Sequence, residues 1–190
     1  MIDTLEIADF LDQGACLRLR EELRQAVGAP ATLLGRDPAS AVAPQIRRVT
    51  RAAIPTATAR RLVRLLMERK PAIERHFGVV LDKCEEPQFL RYQPGDFFVP
   101  HQDGNTPLVH DDSRFRKISA VLFLNAQSEE TSPGTYGGGS FVFHGSYPDL
   151  LLRVPIAPAP GTLVAFRAET THEVTPVTHG ERFSVVTWFR

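Results

Sequence analysis

The sequence predicts a mainly β protein, a double-stranded β-helix (a cupin-like jelly roll) with helical support at its front. Helical periodicity is confined to the residues before Gly78. After it, clusters of Gly, Pro and Asp separate short runs rich in β-branched and aromatic residues, a texture typical of double-sheet folds. We predict these runs as strands: Gln88–Tyr92, Phe97–His101, Lys117–Asn125, Ser140–His144, Leu151–Ile156, Thr162–Phe166, His172–Val174 and Arg182–Phe189.

The front of the chain contains two amphipathic patterns, which should pack on the outside of one sheet. The first runs from Asp12 to Val27, with Asp12 as a candidate N-cap and Gly28 at the C′ position. The second covers residues 58–70, and Pro71 is expected to start a separate short helix that ends at Gly78. Helices therefore support the predicted β core.

Two segments between these elements are predicted loops. Ala29–Pro44 contains three prolines and little periodicity, and Asn105–Arg116 mixes charged residues with proline. We expect both to close over the mouth of the jelly roll when substrate binds. Between the first loop and the second helix, Gln45–Ile54 is predicted to be an exposed edge strand because it carries three arginines.

Length and composition set the class of protein. The 190 residues are expected to form one domain, with 1–80 as the helical support region and 81–190 as the jelly-roll core. Basic and acidic residues number 22 each, which argues against the basic footprint of a nucleic-acid binder. There is no long apolar run, no signal-peptide pattern, and only two distant cysteines, so we expect a reduced, cytoplasmic protein without a membrane partner.

The candidate metal ligands begin with His101 and Asp103, which directly follow an apolar run. Residues two apart on a strand project from the same face, so both side chains would point into one space. His172, at the start of a later strand, is the candidate third ligand. Two histidines and a carboxylate on one side of an ion suit non-haem Fe(II) oxygenases, but zinc hydrolases use the same donors. The triad alone leaves the metal open.

Arg182 is the residue that favours one chemistry. Alternation along the last strand places Arg182, Ser184, Val186 and Trp188 on one face. If that face lines the interior, the buried guanidinium needs an anion, and its planar fork suits a carboxylate. Ser184 could donate a hydroxyl to the same carboxylate. A dicarboxylate cosubstrate would fit, with one end on the metal and the other on Arg182.

Several motifs in fixed order carry a family resemblance. They are Arg91-Tyr-x-x-Gly, His101-x-Asp103, Leu122-Phe-Leu-Asn125, Gly138-Gly-x-Phe-x-Phe143, Pro160-Gly-x-Leu-x-x-Phe166, His172-Glu-Val-x-Pro176, Gly180-x-Arg182 and Trp188-Phe189. With these residues, the chain from about Pro87 to Phe189 resembles the prolyl 4-hydroxylase group of Fe(II)- and 2-oxoglutarate-dependent dioxygenases.

The resemblance implies Fe(II), 2-oxoglutarate as cosubstrate, O₂, and ascorbate as an accessory reductant. It implies hydroxylation of an unactivated C–H bond, in a peptidyl residue such as proline or in a small amino-acid-like molecule, coupled to decarboxylation of 2-oxoglutarate to succinate. Asp103 favours hydroxylation, because related halogenases lack this carboxylate. The implied site residues are His101, Asp103 and His172 on the metal, and Arg182, Tyr92 and Ser184 on the cosubstrate.

Three further residues are candidate substrate contacts: His110, Trp188 and Asn125. His110 could equally be a solvated turn residue, and Trp188 could be part of the core.

One departure from the family concerns Phe123, which stands where oxygen-sensing members have a tyrosine. Tyr92 or Ser184 is expected to supply the missing hydrogen bond.

Two other functions remain open at this stage. One is a nucleic-acid demethylase of the same superfamily, which the balanced charge and the arginine spacing disfavour. The other is a cupin-like metal-binding or sensor protein without redox turnover. For the leading interpretation, the expected partner is a peptide or small-molecule substrate.

Overall fold

The computed structural model describes residues 2–32, 42–104, 112–145 and 151–190. It contains helices α1 (Gln13–Gln25) and α2 (Thr56–Phe77) and a 3-10 helix at Asp112–Phe115. The strands are β1 (Thr4–Ile7), β2 (Gly28–Pro30), β3 (Arg47–Arg48), β4 (Thr50–Ala52), β5 (Gln88–Tyr92), β6 (Phe97–His101), β7 (Ile118–Phe123), β8 (Tyr136–Gly138), β9 (Phe141–His144), β10 (Arg153–Ile156), β11 (Leu163–Arg167), β12 (His172–Val174), β13 (Val177–Gly180) and β14 (Arg182–Phe189).

The strands form two facing antiparallel sheets. The seven-stranded major sheet has the order β1-β11-β7-β14-β5-β4-β2, and the five-stranded minor sheet has the order β10-β9-β12-β6-β3. A separate two-stranded ribbon pairs β13 with β8. The predicted fold class, a mainly β jelly roll with helices on one sheet, is confirmed.

The helices cover the outer face of the major sheet. Leu23 of α1 and Leu66 of α2 are buried in one cluster with Phe89, Phe183 and Val185. Burying each such side chain contributes about 1.5–3 kcal/mol, so this layer stabilises the sheet that it covers. A second apolar cluster fills the space between the two sheets. The candidate site residues border this second cluster.

Helix α1 begins as predicted and ends earlier than predicted. The Asp12 carboxylate accepts a hydrogen bond from the Ala15 N–H at 2.7 Å, which satisfies a free donor of the first turn. The helix ends at Gln25 with an extended Ala26. The prediction that Gly28 caps it was wrong, because Gly28 begins β2, whose other two residues lie in the predicted loop 29–44.

Helix α2 passes through Pro71, so the predicted break there was also wrong. Leu66, Ile73 and Phe77 are all buried against the major sheet, on both sides of the proline. This packing outweighs the hydrogen bond that proline removes from a helix interior. The helix ends where expected, since Gly78 has a left-handed backbone (φ 63°) that favours glycine.

The predicted strand 45–54 is in fact two short strands. Arg47–Arg48 (β3) pairs with β6 at the edge of the minor sheet, whereas Thr50–Ala52 (β4) pairs with β5 and β2 in the major sheet. The chain therefore crosses from one sheet to the other around Val49, which is buried. Arg47 consequently lies at a corner between the sheets.

The other predicted strands are present, four of them with the predicted ends (β5, β6, β12 and β14). Strands β1, β8 and β13 were not anticipated. Two segments, 29–44 and 105–116, were predicted to close over the site. Residues 33–41 of the first and 105–111 of the second, including His110, lie outside the described residues. Among the helices that are described, none is long and apolar enough to cross a membrane.

Candidate functional site

The two histidines of the predicted triad lie directly opposite each other on neighbouring strands. His172 of β12 is paired with His101 of β6, and their ring centroids are 4.2 Å apart. Asp103 follows the end of β6, where its backbone N–H donates to the Ala168 carbonyl at 2.9 Å. Strand register thus brings together residues that are far apart in sequence.

The donor atoms of His101, Asp103 and His172 all lie within 4.8 Å of one another. The Asp103 Oδ1 atom is 3.6 Å from His101 Nε2, and its Oδ2 atom is 3.5 Å from His172 Nε2. Two imidazole nitrogens and one carboxylate converging on a point form a facial set, which leaves the other side of an ion open. These three residues could hold a divalent metal.

The second nitrogen of each imidazole is held by the backbone. His101 Nδ1 lies 2.8 Å from the Val99 carbonyl, and His172 Nδ1 lies 2.9 Å from the Thr170 carbonyl. A carbonyl only accepts hydrogen bonds, so each Nδ1 carries the proton and each Nε2 has a free lone pair. This tautomer is the one that a metal ligand through Nε2 requires.

Burial and the neighbouring His172 favour the uncharged form of His101. Burial, followed by the neighbouring His172, lowers the pKa of His101 to about 3. Burial by itself raises the pKa of Asp103, but His172, His101 and the Ser119 hydroxyl outweigh it, so this pKa lies below its usual value. At neutral pH the site therefore offers the neutral imidazole of His101 beside the Asp103 carboxylate.

Asp103 is oriented by the neighbouring strands of the major sheet. The Ser119 hydroxyl of β7 donates to Asp103 Oδ2 at 2.7 Å. Trp188, the cross-strand partner of Ser119, also lowers the pKa of Asp103, although its indole N–H is outside hydrogen-bond geometry. Arg116 donates to the Asp103 carbonyl at 3.2 Å and stacks 3.6 Å over the Trp188 ring.

Gly104 is required here because of close packing. A Cβ atom at this position would lie 2.1 Å from the Ser113 carbonyl oxygen, a distance that no side chain allows. The glycine therefore lets the backbone of Gly104 itself lie against the 3-10 helix that precedes Arg116. This contact fixes the loop that carries the carboxylate.

Arg182 is buried between the sheets, with 1% of its surface exposed. Its Nη1 donates to the Ser184 hydroxyl at 2.9 Å, whereas its Nε and Nη2 are buried and have no hydrogen-bond partner among the described residues. The guanidinium carbon lies 5.0 Å from the Tyr92 ring, 5.4 Å from the Phe123 ring and 5.9 Å from the Tyr136 ring. A buried charge with unsatisfied donors in an aromatic enclosure fits a ligand carboxylate.

The two halves of the site are close together. Phe141 contacts both Phe123, beside Arg182, and His172, with centroid distances of 5.9 and 5.2 Å. Two aromatic rings thus connect the guanidinium of Arg182 to the candidate metal ligands. One dicarboxylate could therefore contact both, as the sequence predicted.

The predicted substrate contacts have different outcomes. Asn125 is 2% exposed, donates to the Gly134 and Glu181 carbonyls and accepts from the Phe183 N–H, so it joins loops; its role toward a substrate stays a prediction. Trp188 lies near Asp103 and lines a cavity of about 260 Å³. Its role as a substrate contact stays a prediction, and His110 lies outside the described residues.

Sequence reasoning missed Ser119, Arg116 and Tyr136. Alternation along β7 places Ser119 on the interior face, which was a usable signal. Arg116 and Tyr136 had none, because their positions depend on how loops and a short ribbon pack. Tyr136 also brings a second tyrosine next to Arg182, in addition to Tyr92.

The chain matches known proteins over this region. The model of the 2OG-Fe(II) oxygenase superfamily matches residues 87–190. A PKHD-type hydroxylase of Shewanella sp. (strain MR-7) is 35% identical over 104 residues, which are 55% of this chain and 42% of the relative. The chain thus spans less than half the length of that relative.

Other matches cover nearly the whole chain. A PKHD-type hydroxylase of Nitrobacter winogradskyi is 30% identical over 185 residues, or 96% of this chain and 76% of the relative. A crystal structure of a Pseudomonas putida prolyl-4-hydroxylase superposes with a TM-score of 0.72 and 25% identity, covering 100% of this chain and 93% of the other. The resemblance inferred from the motifs is therefore confirmed: the chain belongs to the 2OG-Fe(II) oxygenase superfamily.

Proposed function

We propose that this chain is an Fe(II)- and 2-oxoglutarate-dependent oxygenase that hydroxylates an unactivated C–H bond. The observation that supports it most strongly is the pairing of two features in one enclosure. A facial set of two imidazoles and a carboxylate is connected through two aromatic rings to a buried arginine with unsatisfied N–H groups. A simple metal-binding site does not need such an arginine.

The proposed ligands of Fe(II) are His101, Asp103 and His172. Arg182, with Ser184 on its Nη1, would bind the distal carboxylate of 2-oxoglutarate, and Tyr92 and Tyr136 would flank it. When bound, Fe(II), O₂ and 2-oxoglutarate supply the oxidising chemistry: substrate C–H, O₂ and 2-oxoglutarate yield substrate C–OH, succinate and CO₂.

The protein's own contribution is binding, orientation and exclusion of water. The backbone carbonyls of Val99 and Thr170 fix the imidazole tautomers, and Ser119 fixes the carboxylate. The rings of Phe123 and Phe141 make the enclosure apolar, which strengthens the ion pair between Arg182 and the cosubstrate. The chain thereby fixes the position of 2-oxoglutarate relative to the metal before substrate arrives.

The substrate is proposed to be a peptidyl residue of the prolyl type or a small amino-acid-like molecule. The similarity to a Pseudomonas putida prolyl-4-hydroxylase supports the first option. The cavity beside Trp188, which is lined by charged and polar side chains, is compatible with both options.

The test is a succinate-release assay with the full chain, Fe(II), ascorbate and 2-oxoglutarate. Proline-containing peptides and free amino acids are screened, and a mass gain of about 16 Da, one oxygen atom, identifies the product. We expect succinate formation that requires Fe(II) and rises with one class of substrate. Anaerobic addition of Fe(II) and 2-oxoglutarate should also produce a weak visible charge-transfer band.

The matched control is His144→Gln, which alters an imidazole of the minor sheet that pairs with Glu173 and is not among the proposed ligands. This variant should retain the band. A wild-type protein that binds Fe(II) but gives neither the band nor succinate would instead be a metal-binding or sensor protein.

A further inference from the structure

Arg47 is a second buried guanidinium close to the candidate metal site. It is 9% exposed and lies at the corner where the chain crosses from the minor to the major sheet. Its guanidinium carbon is 4.8 Å from the centre of the Phe98 ring, and that ring stacks on the His101 imidazole at 3.5 Å. A single aromatic ring therefore separates this cation from a proposed metal ligand.

The hydrogen bonds of Arg47 leave its charge unneutralised. Its Nη1 donates to the Thr32 carbonyl at 3.1 Å and its Nη2 to the Gln88 side-chain oxygen at 3.3 Å, and both acceptors are neutral. Its Nε is buried without a partner. In the part of the chain that the structure describes, no carboxylate forms an ion pair with it. Burying an unpaired charge is costly, which indicates an absent anion.

The other charges around the site are balanced. Glu85 accepts hydrogen bonds from both Arg116 and Arg190, and Arg190 also lies 3.6 Å from Asp112. With the proposed ligands bound, Fe(II), Asp103, Arg182 and the doubly charged 2-oxoglutarate cancel one another. Arg47 differs from these residues because it is buried and neither a described carboxylate nor a proposed cofactor forms an ion pair with it.

The electrostatics of Arg47 agree with this. Burial lowers its pKa, and the nearby Tyr92 and Asp103 only partly oppose that effect, while Arg51 and Arg116 add to it. A bound anion would remove the penalty, and a carboxylate suits both the single charge and the planar N–H edge that the guanidinium presents.

We propose that Arg47 binds a carboxylate of the substrate, so that this enzyme acts on an amino acid or chain end with a free α-carboxylate. This inference rests on the proposed function and selects within its substrate classes. Arg182 then anchors the cosubstrate from the major sheet, while Arg47 anchors the substrate from the minor sheet. The proposed metal ligands would then be flanked by two carboxylate-binding arginines, one for the cosubstrate and one for the substrate.

The test measures binding, independently of turnover. The protein is loaded with Mn(II) and 2-oxoglutarate without O₂, and its melting temperature is recorded against four probe panels. These are the L-amino acids, their amides, the N-acetyl L-amino acids, and the amides of those. Within each pair only the carboxylate is lost, and the acetylated pair represents the end of a peptide chain.

We expect at least one carboxylate probe to stabilise the wild-type protein more than its amide does. In Arg47→Gln its apparent affinity should fall at least about 30-fold, the loss typical of truncating one partner of a buried charge pair. Arg47→Lys keeps the charge and should retain part of the preference. Arg48→Gln, the exposed neighbour on the same strand, is the matched control and should bind like wild type.

Three results would overturn the assignment: no carboxylate probe stabilises the wild type beyond its amide, the preference survives in Arg47→Gln, or Arg48→Gln loses it equally. Stabilisation by 2-oxoglutarate is recorded first in the same samples. If it is absent in the wild type, the proposed function fails as well. If it is present while the probes show no preference, only the role of Arg47 fails.

Discussion

The two sheets that enclose the site differ in what covers them. The major sheet has helices on its outer face, and its strand β7 is buried along its whole length. The minor sheet has edge strands such as β10 whose residues alternate between exposed and half-buried. Arg182 lies on the covered sheet, whereas His101, His172 and Arg47 lie on the open one.

This difference indicates a division of roles. A buried cation without a bound anion lowers the stability of the folded protein. Such a cation therefore needs rigid and extensive packing around it, which the major sheet provides. Ligand entry needs an accessible edge, which the minor sheet provides. The predictions below test this division, beginning with the largest expected effect.

Removing a ligand from the minor sheet should abolish activity without unfolding the protein. We expect His172→Ala to reduce the rate of succinate formation more than about 100-fold. This loss exceeds the one that follows when a residue hydrogen-bonded to a metal ligand is replaced. Succinate release and bound iron per chain are the measurements. A His172→Ala protein with normal iron content and turnover would contradict the proposed metal site.

Removing the charge from the major sheet should separate activity from stability. In Arg182→Met, the requirement for 2-oxoglutarate should rise at least about 30-fold. The protein without ligands should melt at the same or a higher temperature, because an unpaired buried charge has gone. Arg167→Gln, on the outer face of the same sheet, is the control. A large loss of melting temperature in Arg182→Met would mean that the arginine is structural.

The two buried serines of the major sheet should have different effects. Ser119→Ala should weaken metal binding about 10- to 100-fold, as loss of a partner to a metal ligand commonly does. Ser184→Ala should instead weaken 2-oxoglutarate binding and leave metal binding unchanged. Titration with Mn(II), with and without 2-oxoglutarate, distinguishes these results. If both variants weakened metal binding equally, the proposed difference between the two serines would be wrong.

The smallest effect concerns pH. The pKa of His101 is about 3 when folded and 6.5 ordinarily, so the unfolded chain binds an additional proton between these values. The contribution of His101 to the free energy of unfolding of the metal-free protein is therefore fully present above pH 6.5. It falls as the pH decreases, by up to about 1.4 kcal/mol per pH unit. Denaturant unfolding at pH 7.5 and 5 measures the slope. His101→Gln should flatten it, and an unchanged slope would contradict the shift.

Elements that local sequence determines could be predicted, whereas elements that depend on packing with distant residues could not. Strands such as β5 and β14 were predicted to the residue, because an alternating pattern bounded by turn residues is a local signal. The continuation of α2 through Pro71 was not, because buried Ile73 and Phe77 on its far side determine it. The split of 45–54 into two strands likewise depends on two sheets that the segment joins.

The candidate site divides in the same way. His101, Asp103, His172 and Arg182 were identified from spacing and motifs. Ser119, Arg116 and Tyr136 were missed, as were the loop contacts of Asn125, because these interactions involve distant residues such as Asp103, Glu85 and Phe183.

The sequence by itself determined the candidate donor set, the arginine proposed as the anchor, and the strands on which His101, His172 and Arg182 lie. These depend on residue type and on the two-residue period of a strand, both of which are local properties. The tertiary structure alone decided which nitrogen of each imidazole is free, which hydroxyl orients Asp103, and that Arg47 is buried without an ion pair to any described carboxylate. Each of these is a relation between surfaces that meet only when the two sheets close on each other.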